Sequence, residues 1–361
     1  MLLSHRSRDA MTASISPRES ALVQRLAGRG AAVADAPPSV WFMRQAGRSL
    51  PEYRKVREGI GMLESCLMPE LAAEITLQPV RRHGVDAGIF FSDIMVPLKL
   101  AGIDVNIEPG VGPVLAHPVR SKADIDKLPS VDDVYRTALE PIREAVRLTV
   151  AELGSTPLIG FCGAPFTVAS YMVEGRPSRD HLRTRALMSA EPELWGRLAQ
   201  WVAEISGEFL RAQVEAGASA VQLFDSWAGS LSEATYRTHV LPFSTRTFTY
   251  VQDLDVPRTH FGVGTGHMLT AILEAGATTV GLDHRTPIPT AVETLPAGTG
   301  LQGNLDPALL FSSEKARFTE AERIVREGRA AAGHVVNLGH GVPPQTDPHV
   351  LTDLVAFIHE Q

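Results

Sequence analysis

The chain has 361 residues, with 34 Lys and Arg against 41 Asp and Glu, a net charge of −7 and a pI of about 6.0. A balance of that sign excludes general affinity for nucleic acid or an anionic membrane surface, so an anionic ligand must meet positive charge gathered locally. At 44% hydrophobic and 21% charged there is ample material for a core, no run of about 18 apolar residues reads as a membrane span, and two cysteines, Cys66 and Cys162, are too few for a disulfide framework, which fits a cytoplasmic protein.

Residues 1–19 mix Ser and Arg without the apolar stretch of a secretory signal. They are expected to form a disordered tail, with Met11 as an alternative start, ahead of one folded domain over 20–361. Short apolar runs then alternate with segments of helical period. A strand is expected at Val40–Met43, a helix at Pro69–Arg82 and a strand at Ala87–Phe91. The Gly- and Pro-bearing stretch Ala101–Pro129 reads as a long loop or small hairpin. Beyond it come helix Tyr135–Leu153, strand Pro157–Phe161, helix Glu191–Ala216, strand Ala220–Phe224 and helix Glu233–Asp253. Strand Arg258–Val263, helix Gly266–Ala275, strands Thr278–Leu282 and Gly300–Gly303, helix Pro307–Arg329, strand His334–Leu338 and helix His349–His359 complete the chain.

The strands are continuously apolar, as strands buried on both faces should be. Their alternation with helices predicts an α/β fold, a single (β/α)8 TIM barrel. An open doubly wound sheet is the alternative, but its fingerprint is missing. In Gly262-Val-Gly-Thr-Gly266 the third glycine falls one position early, so the segment reads as a tight turn between strand and helix.

Barrel chemistry sits just past the C-terminal ends of the strands, and polar residues collect there. Arg44, Gln45 and Arg48 follow the first strand, Ser92 and Asp93 the second, and Tyr171 lies beyond the third. Asp225 and Ser226 end the fourth, Asp283 and His284 the sixth, Asn304 the seventh, and His340 follows the eighth. Two guanidiniums four residues apart, with Gly47 between them, can face one cleft and offer planar forks to carboxylates. The competing reading pairs them structurally with Glu52 and another acid. Asp93, behind Phe90 and Phe91, either stabilises a cation or caps a helix. Taken singly, His340, Tyr171 and Ser226 fit structural roles as well as binding. There is no metal-ligand cluster, no nucleophile elbow and no Walker loop.

Together, Trp41-Phe-Met-Arg-Gln-Ala-Gly-Arg48 with Leu50-Pro-Glu-Tyr-Arg54, Phe91-Ser-Asp-Ile94, Gly160-Phe-Cys-Gly-Ala-Pro-Phe-Thr167 with Tyr171-Met-Val-Glu-Gly175, Gln222-Leu-Phe-Asp-Ser-Trp-Ala-Gly229, Gln302-Gly-Asn-Leu-Asp306 and Asn337-Leu-Gly-His-Gly341 closely resemble the uroporphyrinogen decarboxylase family. The first of these segments is highly specific, and the set runs in order across almost the whole chain. The resemblance implies a cytoplasmic (β/α)8 homodimer of haem and chlorophyll biosynthesis. It would convert the four acetate side chains of uroporphyrinogen III to methyls, giving coproporphyrinogen III, without cofactor or metal. It implies that Arg44, Gln45, Ala46, Gly47 and Arg48 bind substrate, with Arg44 also a candidate proton donor. Asp93 would meet the pyrrole N–H groups and act in catalysis, and Tyr171, Ser226 and His340 would complete the pocket. Two positions depart from the family: Ser49 replaces an aromatic residue, and His284-Arg-Thr286 replaces a Trp-containing version. Two other readings of such a barrel are a zinc-dependent methyltransferase, for which the cysteines lack the ligand arrangement, and a silent tetrapyrrole binder.

Overall fold

A computed structural model describes residues 16–361. The expected tail falls largely on residues 1–15, outside the described residues. Pro17–Glu19 form a turn of 3₁₀ helix, and Ser20 then caps helix Ala21–Leu26, its hydroxyl accepting from the Val23 N–H.

Ten strands are present among the described residues, here numbered in chain order: β1 (Ser39–Val40), β2 (Gly88–Ile89), β3 (Val105–Glu108), β4 (Gly112–Leu115), β5 (Leu158–Gly163), β6 (Ala220–Asp225), β7 (Arg258–Gly262), β8 (Thr279–Gly281), β9 (Gly300–Gln302) and β10 (Gly333–Val336). Eight of them form one parallel sheet in the order β1-β10-β9-β8-β7-β6-β5-β2. These are the eight strands expected from the apolar runs, and helices on the outside of the curled sheet make the fold a (β/α)8 barrel. β3 and β4 form a separate antiparallel hairpin, with Val105 opposite Leu115, inside the stretch whose glycines and prolines argued for a loop or hairpin.

Several helices differ from expectation for local reasons; the stretch Tyr135–Leu153, for one, is two helices, Asp133–Ala138 and Glu140–Leu153, with Pro141 opening the second. The segment Glu233–Asp253 is two helices, Glu233–His239 and Leu241–Thr249, because Pro242 cannot continue the hydrogen-bond ladder. Pro307–Phe311 is a 3₁₀ turn, and Ser313 caps a new helix at Glu314–Gly328. Helix Pro165–Glu174 gave no amphipathic signal because it is buried nearly all round, through Phe166, Val168, Ala169, Met172 and Val173. Pro165 opens it, and Gly175, at φ 84°, closes it.

The barrel interior carries a polar relay. Trp41 Nε1 donates to Gln302 Oε1 at 3.2 Å, and Gln302 Nε2 donates to Gln222 Oε1 at 2.9 Å. All three side chains are buried, so these residues tie β1, β9 and β6 together across the core and do not reach the mouth.

The ring closes between β1 and β2, its two shortest strands, and Asp86 spans that seam. Its N–H donates to Val40 O at 2.9 Å, and its Oδ2 accepts from Val40 N at 2.7 Å. The same Oδ2 meets His359 Nε2 of the last helix at 2.9 Å. This hydrogen bond raises the His359 pKa, against the opposing effect of burial. A raised folded-state value means that the contribution is fully present below the unfolded pKa and is lost as pH rises through the folded one. His359→Gln should therefore cost about 1 kcal/mol near pH 6 and less near pH 8, read as the difference in urea midpoint from the parent. A cost that grows with pH would refute this role for the pair.

Candidate active site

The mouth of the barrel is built from the segments that leave β1, β2, β5, β6, β8 and β10. β1 ends early because the chain is captured by the segment after β10. Met43 N donates to Asn337 Oδ1 at 3.0 Å, and Val342 N donates to Met43 O at 2.8 Å. Gln45 is fastened on the other side: its Oε1 accepts from Phe42 N and its Nε2 donates to Ala87 O. Arg44, between these two anchors, adopts φ 60°, a left-handed backbone that costs a non-glycine residue roughly 1–2 kcal/mol. The turn throws its side chain out of the wall, and the guanidinium is exposed. Its aliphatic stem lies on Gly341, where any Cβ would collide with it. The Gly after His340 is therefore needed to seat Arg44.

Arg48 is exposed in the turn before helix Pro51–Val56, which the Leu50 N–H closes by donating to Gly47 O. Neither Arg44 nor Arg48 has an ion-pair or hydrogen-bond partner for its guanidinium among the described residues. Glu52, the acid that a structural pairing needs, is taken by Arg82 in a two-pronged contact of 2.6 and 2.8 Å. Both arginine forks are thus left for a ligand. Gln45, by contrast, is fully buried, and both ends of its amide serve the scaffold. Ala46 is half-buried against the core and Gly47 half-buried in the turn.

Asp93 follows β2. Its Oδ1 accepts from Met95 N at 2.9 Å as the chain turns into helix Val96–Leu100. This bond closes the turn ahead of the helix, whose cap position is Met95 and takes no side-chain hydrogen bond, so Asp93 is not the helix cap expected as an alternative; the turn uses one oxygen, and Oδ2 has no partner among the described residues. Burial raises the Asp93 pKa, and the Met95 N–H and the charge of Arg44 only partly oppose it.

Tyr171 sits half-buried on helix Pro165–Glu174. Burial, and then the charge of Asp93, push its phenol up to about 12, while Arg44 pulls the other way. His340 is half-buried, and burial, then the positive charge of Arg44, lowers its pKa, so its ring is neutral at neutral pH. Arg44, Asp93, Tyr171 and His340 thus share one electrostatic environment. Ser226 is half-buried just past the end of β6, between buried Asp225 and half-buried Trp227.

The departures from the family pattern also have positions. Ser49 is buried, and its hydroxyl has no partner among the described residues. His284 is exposed, with its backbone against Gly339. Arg285 folds back on buried Asp283, 2.7 Å from its Oδ2, while Gly264 N and Thr286 Oγ1 also donate to that carboxylate. The turn Gly262–Gly266 serves this polar cluster and shows no phosphate cradle.

Trp227 and His181 at the mouth escaped the residue-by-residue reading. Trp227 was visible inside the Gln222–Gly229 motif but without a role. His181 lies in a stretch with no period or motif, so nothing in the sequence signalled it. Among the described residues no three His, Cys, Asp or Glu side chains are grouped as metal ligands would be.

The family model described as uroporphyrinogen decarboxylase matches residues 26–361. A uroporphyrinogen decarboxylase of Arthrobacter sp. (strain FB24) is 61% identical, covering 89% of this chain and 92% of that one. Its counterpart in Nocardia farcinica is 59% identical, covering 91% and 95%. Among solved structures, a methyltransferase from Methanosarcina mazei superposes with a TM-score of 0.78 at 18% identity, covering 96% of this chain and 99% of its own. At that identity the likeness shows the fold alone. With the family model spanning the barrel and relatives near 60% identity along nine-tenths of its length, the chain belongs to the uroporphyrinogen decarboxylase family.

Proposed function

We infer that this chain decarboxylates uroporphyrinogen in tetrapyrrole biosynthesis, and that it converts the four acetates of the III isomer to methyls, giving coproporphyrinogen III. The observation that carries the reading is the pair of unpartnered guanidiniums, Arg44 and Arg48, in the segment that leaves β1, with Arg44 near enough to a carboxylate with a free oxygen, Asp93, to shift its pKa. The substrate carries eight carboxylates around four pyrrole N–H donors. Cationic forks for its rim and an acceptor for its centre are the complement of that charge distribution.

Loss of CO2 from an acetate leaves an electron pair that needs a sink. Protonating the ring carbon next to the one that bears the acetate makes the pyrrole cationic, with positive charge reaching the acetate-bearing carbon. The C–CO2 bond then breaks, its electrons neutralise the ring, and a second proton on the exocyclic carbon makes the methyl as the ring proton leaves. The pyrrole itself is the sink, so this route needs no cofactor. In this reading Asp93 favours the cationic ring, Arg44 and Arg48 hold peripheral carboxylates, and Arg44 is a candidate to deliver the proton. Tyr171, a phenol at neutral pH, Ser226 and neutral His340 offer hydrogen bonds to further carboxylates. Family membership also supports a homodimer in the cytoplasm, with neither nucleic acid nor membrane as partner.

The test is the purified chain with uroporphyrinogen III under anaerobic conditions and products separated by carboxylate number. Coproporphyrinogen III should accumulate without added metal or cofactor. Unchanged substrate would overturn the assignment.

A further inference from the structure

Tyr171 does not stand alone at the mouth. Its ring lies on Trp227 with centroids 4.0 Å apart and planes tilted by 30°. The other face of Trp227 is covered by His181, centroids 4.3 Å apart and planes within 27°. Behind His181 comes the edge of Phe166 at 6.3 Å, and behind Phe166 comes Trp195 at 6.1 Å. Five rings therefore run as a column from the half-buried Tyr171 to fully buried core.

His181 is held in this column at a cost. It has φ 50° and ψ 39° without being glycine, a backbone worth roughly 1–2 kcal/mol of strain. It is 2% exposed, and its Nδ1 is buried without a partner among the described residues. An orphaned buried nitrogen is itself unfavourable. Local structure explains neither feature: the His181 N–H is satisfied by Ser178 Oγ, and the helix that follows, Leu182–Ala190, receives no side-chain cap from it. What the position does achieve is a flat ring against Trp227.

We propose that Trp227 and His181 are positioning residues for the decarboxylation: the stacked pair fixes the height and tilt of the Tyr171 ring, so that its hydroxyl meets the substrate in one geometry. The pair touches Tyr171 and does not itself need to touch substrate. Pinning the ring removes rotamer freedom before substrate arrives, and small misplacements of a positioned group cost rate steeply. The stack requires planarity at 181 and no polar atom, so phenylalanine should replace the histidine while alanine should not.

This inference rests on the decarboxylase reading for its kinetic arm, so the experiment has a second arm that does not. The chain carries five tyrosines, and 3-fluorotyrosine gives each a fluorine resonance; Tyr171→Phe identifies the one from Tyr171. In the parent it should be sharp and displaced by the ring current of Trp227. It should stay there in His181→Phe, and move toward the free-residue position in His181→Ala and Trp227→Leu. In turnover, His181→Ala should lower kcat about tenfold with KM within about twofold, His181→Phe should restore it, and His181→Ala should have no further effect in a Tyr171→Phe background. A parent without turnover defeats the decarboxylase reading and leaves the spectra to judge the stack. An unmoved resonance in His181→Ala, no recovery with phenylalanine, or an undiminished effect of His181→Ala in the Tyr171→Phe background overturns the positioning role.

Discussion

Replacing Asp93 by Asn should lower turnover about a thousandfold while leaving the fold intact. A unit charge about 4 Å from the cationic ring, at an effective dielectric near 20, is worth roughly 4 kcal/mol, which is close to three orders of magnitude in rate. Asn is the cleaner change than Ala. Its side-chain oxygen can still accept from Met95 N, as Oδ1 does at 2.9 Å, so the turn into helix Val96–Leu100 keeps this bond and only the charge is lost. Asp93→Ala should lose most of the turnover as well, with an added stability cost of about 1 kcal/mol for the stranded N–H.

The same carboxylate sets a pH limit. Burial raises the Asp93 pKa from its ordinary value. The proposed chemistry needs the ionised form, so activity should be present above that raised value and fall as pH drops through it. The acid limb of kcat/KM should therefore lie above about 3.9, the ordinary aspartate value, and it should vanish in Asp93→Asn. An Asn variant within tenfold of the parent would remove Asp93 from the chemistry.

The second large effect belongs to Arg44. Two charge-assisted hydrogen bonds from a planar fork are worth roughly 3–6 kcal/mol, so Arg44→Ala should lower kcat/KM by at least about a hundredfold. Part of the loss should appear in kcat, because the charge of Arg44 acts on Asp93, Tyr171 and His340 as well as on a bound carboxylate. Arg44→Lys keeps the charge but not the fork, and it should recover only a minor share. Equal kcat/KM for the Lys variant and the parent would show that a point charge suffices. Gly341→Ala offers a check through structure: a methyl there collides with the stem of Arg44, so it should mimic a loss at Arg44 without touching the guanidinium.

Much of this molecule is decided locally and is legible in its sequence. Continuous apolar runs become parallel strands because a barrel buries both faces of its sheet, so all eight barrel strands were visible. The arginine pair, Asp93 and the Gly-His-Gly turn stand out because charge and glycine are costly unless used. Boundaries were less legible: β1 stops at Val40, not Met43, because Asn337 and Val342, nearly three hundred residues away, seize the Met43 backbone.

Tertiary structure alone decided which polar residues face the cleft. Gln45 and Arg44 are neighbours of similar polarity, yet one is sealed in the wall and the other is free, because a left-handed turn at Arg44 separates their directions. Gln222 and Gln302 belong to motifs of the site but lie inside the barrel, linked to each other. Helix Pro165–Glu174 and His181 left no periodic signal, since burial on every side erases amphipathicity and a ring stack needs only proximity in space. Sequence by itself determined the barrel and the chemical kinds of group around its mouth. Only packing across the strand ends decided which of those groups point inward, because that choice depends on partners distant along the chain.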